Sequence, residues 1–118
     1  MWLITNFGFF SVVEKPEDKG EDTLTIRARS KKDLEQLKNK YLPLMGGIRE
    51  SDLSDYRYRA TASRDDIAKA FMQAVQDIHY SNFKDEVKKE QGYGRANVYG
   101  WVWDSLYTIQ TEEDIYRE

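Results

Sequence analysis

The 118-residue chain carries 18 Lys and Arg against 21 Asp and Glu, with one His and no Cys, for a net charge of −3. Such a length makes one domain with a single hydrophobic core; 40% hydrophobic and 14% aromatic residues argue against disorder, and the lack of cysteine excludes disulfides and thiolate metal sites. The acidic balance disfavours a dedicated duplex-DNA binder, and no stretch reaches the roughly 18 apolar residues of a membrane span. Met1-Trp2-Leu3-Ile4-Thr5-Asn6 lacks the basic start of a leader. A soluble, cytoplasmic protein without membrane contact is expected, with one domain over 1–110 and an acidic tail over 111–118. Glu112, Glu113, Asp114, Arg117 and Glu118 in that tail account for the net charge, so the rest of the chain is near neutral.

Phe7 to Glu14 predicts a strand from its Phe and Val content, with Gly8 at a kink or a close backbone approach. The charged turn from Lys15 to Asp22 joins it to Thr23–Arg29 as an antiparallel hairpin, because a parallel neighbour needs a longer crossover. Ser30 with Asp33 matches a capping box, and Leu34, Leu37 and Tyr41 keep helical spacing up to Pro43, predicting a helix over 31–42. Met45-Gly46-Gly47 and the polar residues to Asp55 form a loop with a short edge strand near Ile48. Tyr56–Ala62 is the next strand, and Ser63 with Asp66 repeats the cap.

Ile67, Ala70, Phe71, Ala74, Val75 and Ile78 then give the clearest helical periodicity in the chain. Asn82 caps a third helix carrying Phe83 and Val87, which Gly92-Tyr93-Gly94 ends. A fourth runs from about Arg95 to Tyr107, apolar on most of its circumference, as buried or interfacial helices are. The order predicts an α+β two-layer sandwich: an antiparallel sheet of a hairpin and at least one further strand, helices on one face, a helical C-terminal part, and a relation to ferredoxin-like folds.

Arginines alternate in two of these strands, Arg27 and Arg29 in one and Arg57 and Arg59 in the other. Alternation sends each pair to one face, with Leu24, Ile26, Ala28, Tyr56, Tyr58 and Ala60 on the other. If the strands share a sheet, four planar, permanently charged forks suited to phosphate or carboxylate crowd one surface. Phe9 or Phe10 could add base-stacking platforms there. The competing reading is a solvated face paired with Glu14 and other carboxylates.

Other constellations carry less. His79 could act as an acid or base with Asp77 nearby, although a structural histidine is the simpler reading. No zinc site or other metal site is expected, and no cofactor. Gly92-Tyr93-Gly94-Arg95 has neither a dinucleotide fingerprint nor a phosphate loop around it, which leaves a helix–helix turn. Tyr99, Trp103 and Tyr107, spaced at i, i+4 and i+8, form a stripe that is either core or a contact surface for a protein partner or a second copy.

The segments Trp2–Val13, Asp77–Lys84 and Val102–Tyr107, with the Arg29 and Asp55–Ala62 regions between them, together resemble a group of small uncharacterised bacterial proteins. That resemblance implies a compact intracellular domain that occurs alone, and it attaches no activity to any residue. The sequence therefore favours a small intracellular binding module: a protein partner or homodimer on the aromatic helix, and an anionic ligand or single-stranded nucleic acid on the Arg face. The alternatives are a small enzyme acting on a phosphorylated or nucleotide-like substrate, with His79 as acid or base, and a phage-type inhibitor of a nucleic-acid enzyme.

Overall fold

Strand β1 (Trp2–Thr5) turns back at Asn6 and Phe7 onto β2 (Gly8–Val13) in the computed structural model, which describes residues 1–116. β3 (Thr23–Ala28) pairs antiparallel with β2 as the hairpin expectation requires, and β5 (Tyr58–Ser63) pairs antiparallel with β3. The two-residue β4 (Arg49–Glu50) closes the far edge, so the order is β1-β2-β3-β5-β4. Helices α1 (Lys31–Lys40) and α2 (Arg64–Gln76) pack on one face of this antiparallel sheet, and the fold is α+β.

Alternation explains which face they choose. Phe10, Val12, Ile26, Ala28, Ala60 and Ala62 point to the helices and are buried with Leu34 and Leu37 of α1 and Ile67 and Ala70 of α2. Phe71 is half-buried at the rim, stacked on Phe7 at 6.4 Å and edge-on to Phe10 at 6.1 Å. The other face carries Ser11, Thr25, Arg27, Arg59 and Thr61, and neither α1 nor α2 packs on it.

Gly8 has a local cause in this packing. A Cβ on it would meet Asp33 Cβ and the Phe10 ring at 2.8 Å, so only glycine lets α1 approach β2 there. The Asp33 carboxylate accepts the Phe9 amide at 3.0 Å, and this tertiary contact replaces the expected capping box, since Ser30 makes no side-chain cap bond. Ser63 does cap α2, accepting from the Asp66 amide at 3.1 Å.

Several boundaries differ from expectation. A separate N-terminal strand, β1, precedes the predicted one, and α1 stops at Lys40. The strand expected from Tyr56 begins at Tyr58, because residues 51–57 bend out of the ladder.

Contacts divide the chain into two compact units, Met1–His79 and the segment from Tyr80 onward. In the second, α3 (Phe83–Gln91) and α4 (Tyr93–Tyr116) pack as a helical pair joined at Gly92, whose φ of 90° is the left-handed turn that glycine permits. Asn82 caps α3 through the Asp85 amide at 3.0 Å, as its position predicts. Val87 and Ala96 are buried between the helices, and Phe83 stacks on Tyr99 at 6.0 Å. The expected stop near Tyr107 is overrun: α4 continues to Tyr116, through most of the segment expected as an acidic tail, whose last two residues lie outside the described part. No described helix is long and apolar enough to cross a membrane.

Candidate functional site

The register lines up one residue from each strand on the face away from α1 and α2. Trp2 lies opposite Ser11, Ser11 opposite Arg27, Arg27 opposite Arg59, and Arg59 opposite Arg49. Directly opposed residues project to the same side, and strands stand about 4.8 Å apart, so three guanidinium-bearing positions follow one another over about 10 Å.

Their side chains are held by neighbours of different kinds. Arg27 Nη2 donates to Ser11 Oγ at 2.7 Å, and the Arg27 guanidinium lies over the Tyr56 ring, 4.5 Å from its centroid. Arg29 covers the same ring at 4.4 Å and donates to the Asp55 carbonyl at 2.7 Å. The Tyr56 carbonyl accepts from the Ser54 hydroxyl and, at 3.5 Å, from Arg59 Nη2. Arg49 Nη2 donates to Thr61 Oγ1 at 3.1 Å. Among the described residues two buried donors lack an acceptor: neither Arg27 Nε nor Arg59 Nε makes a hydrogen bond.

Like charges brought this close repel, and three features offset that. Tyr56 contributes a π-face to two of the cations. Hydroxyl and carbonyl acceptors take up N–H groups of all four arginines in the cluster. Asp18, only 2% exposed, sits at the other end of the face in a 3₁₀ turn over Pro16–Asp18. It accepts the Lys15 amide at 2.9 Å, Thr23 Oγ1 at 2.7 Å and Thr25 Oγ1 at 2.8 Å. Burial opposes its ionisation, but those three hydrogen bonds and the Arg49 guanidinium together hold its pKa below the usual carboxylate value.

The predicted residues thus separate. Arg27, Arg29 and Arg59 come together, whereas Arg57 turns to the edge and is paired with Glu50 at 3.1 Å and Asp52 at 3.0 Å. Tyr56, expected on the opposite face, lies beneath the arginines, because the bend before β5 breaks the alternation. Phe9 shares the Arg face, edge-on to Trp2 at 5.7 Å and 6.4 Å from Tyr56, while Phe10 is in the core. Arg49 was not anticipated as a site residue; the short edge strand expected near Ile48 was the only signal for it. Trp2 was hidden because β1 was not foreseen. His79 follows α2 on the opposite side of the sheet, its Nδ1 3.1 Å from the Asp77 carbonyl.

The aromatic stripe of α4 also divides. Tyr99 is 9% exposed and belongs to the α3–α4 core, but Trp103 and Tyr107, at 66% and 48%, stack on each other at 5.6 Å in the open. The nine residues of α3 span about 13 Å and the 24 of α4 about 36 Å at 1.5 Å per residue. Helix α3 therefore reaches only about the first nine residues of α4, and beyond them Leu106 and Ile109 are exposed too.

Comparison with family models, curated proteins and solved structures finds no match to this chain. Geometry alone therefore carries the functional reading. Among the described residues no group of three or more His, Cys, Asp or Glu side chains is arranged to hold a metal ion.

Proposed function

We propose that this is a non-catalytic intracellular binding protein whose arginine-bearing sheet face takes an anionic partner through Arg27, Arg59 and Arg49, with Tyr56 and Arg29 positioning the cluster. The observation that carries this reading is the pair of buried Nε–H donors without acceptors on Arg27 and Arg59. A buried, unmade hydrogen bond costs about 1–3 kcal/mol, which an acceptor brought by a partner would recover. A phosphate or carboxylate oxygen is the acceptor that a guanidinium fits best. An enzyme would need a proton-transfer group at the arginines, and His79, the candidate, follows the helix on the other side of the sheet.

Replacing both Arg27 and Arg59 with Met keeps their aliphatic packing and removes the unpaired donors. Calorimetric titration with inorganic polyphosphate should then lose its binding signal while the melting temperature stays level or rises. A fall in melting temperature together with unchanged binding would make the arginines structural.

The part of α4 beyond the reach of α3 supports a second, protein-binding surface, for a partner or a second copy of the chain. Stacked, exposed Trp and Tyr rings are the residue types that anchor such contacts. Trp103→Glu should abolish self-association or partner capture without unfolding, since a charge is tolerated in water and costly in a desolvated contact. Sedimentation and circular dichroism separate the outcomes: an unfolded variant would place Trp103 in a core, and a folded one with unaltered association would remove α4 as an interface.

A further inference from the structure

We infer that the anionic partner is a single-stranded nucleic acid lying across the strands, an assignment that rests on the anion-binding reading above and adds its chemical class. The row that bears the arginines does not end with them. It continues through Ser11 to Trp2 on the edge strand β1, about 10 Å beyond Arg27 at the usual strand spacing. Trp2 is 70% exposed, and its ring meets Phe9, which in turn approaches Tyr56 beside Arg27 and Arg29.

One face thus offers a line of cationic forks and, beyond it, an open indole backed by Phe9 and Tyr56. A small anion would use one or two guanidiniums and leave Trp2 idle. An acidic peptide would use the charges and has no flat ring at every residue to stack. A single-stranded polynucleotide alternates phosphates with exposed π-faces, which suits both the forks and the indole. A duplex keeps its base faces stacked inside and would not reach the indole.

The charge distribution is compatible with this. Basic and acidic side chains balance over residues 1–79, and the net negative charge lies in the second unit, so no excess of acid opposes a polyanion at the arginine row. Asp18, the buried carboxylate at the end of the face, is occupied by Lys15, Thr23 and Thr25.

Fluorescence anisotropy of a labelled oligothymidylate, with inorganic polyphosphate as a base-free competitor, tests the assignment on the full chain. Three phosphate contacts predict a slope of about −2 in the logarithm of affinity against the logarithm of salt concentration. Trp2→Ala should weaken the oligonucleotide on the order of tenfold, with polyphosphate affinity unchanged and with recovery in Trp2→Phe. The Arg27→Met, Arg59→Met double variant should lose both ligands. If Trp2→Ala leaves oligonucleotide affinity unaltered, or a duplex binds more tightly than the single strand, the nucleic-acid assignment falls and the anion site stands. If neither oligonucleotide nor polyphosphate binds at low salt, the anion-binding reading falls with it.

Discussion

Phe10→Ala is expected to destabilise the first unit by about 3–5 kcal/mol, the range for truncating a buried aromatic ring. Phe10 is fully buried, 5.7 Å from Phe7 and 6.1 Å from Phe71, and it is one of the two contacts that leave no room for a side chain at Gly8. Removal opens a cavity where β2, α1 and α2 meet, and it deletes two ring pairs worth about 0.5–1.5 kcal/mol each beyond their area. Against a typical stability of about 5–15 kcal/mol, most of the folded margin is at stake. At roughly 4–8 °C per kcal/mol for a unit of this size, the melting temperature should fall by at least about 12 °C. Phe9→Ala is the internal control, since the adjacent ring points to the other face, is partly solvated and should cost far less. Equal losses at both positions would contradict the alternation on which the assignment of faces depends.

That alternation is also why so much of the sheet is legible in the sequence. Within a regular strand the chemistry of one residue predicts the face of the next but one, so Ile26 and Ala28 in the core and Arg27 on the opposite face follow from order alone. Caps work similarly: Ser63 and Asn82 act on amides three residues away, and both are observed. Local rules fail where a long-range contact competes. Asp33 has the right position for a cap, but the Phe9 amide takes its carboxylate, because the sheet brings an otherwise unpaired donor to it.

The site was half visible for the same reason. Arg27 and Arg59 become neighbours through the β3–β5 pairing, which presupposes that two strands thirty residues apart share a sheet. Tyr56 and Arg57 sit beyond the regular strand, where periodicity has no authority; one turns under the arginines and the other out to Glu50 and Asp52. Trp2 and Arg49 lie on edge strands of four and two residues, too short for a pattern to repeat. On α4 a single stripe had two fates, because the length of α3, and not the spacing of the aromatics, decides where cover ends.

Asp18→Ala is expected to cost about 3 kcal/mol or more and to remove an acid-sensitive part of the stability curve. The buried carboxylate is the common acceptor of one amide and two hydroxyls, and hydrogen bonds to a charged group contribute about 1.5–3 kcal/mol each without adding fully. Alanine leaves those donors facing a void. Because the folded pKa lies below the unfolded value of about 3.9, ionised Asp18 favours the folded state. Its contribution is complete above that unfolded value and disappears as pH falls through the lower folded one. Asp18→Asn keeps the shape without the charge, so its stability should be lower than that of the parent at neutral pH, with the gap closing in acid. Denaturant unfolding from neutral pH into the acid range measures this directly. Parallel loss of stability in parent and Asn variant would show that other carboxylates control the acid limb, and that the turn over Thr23 and Thr25 is held by its shape and not by the charge of Asp18.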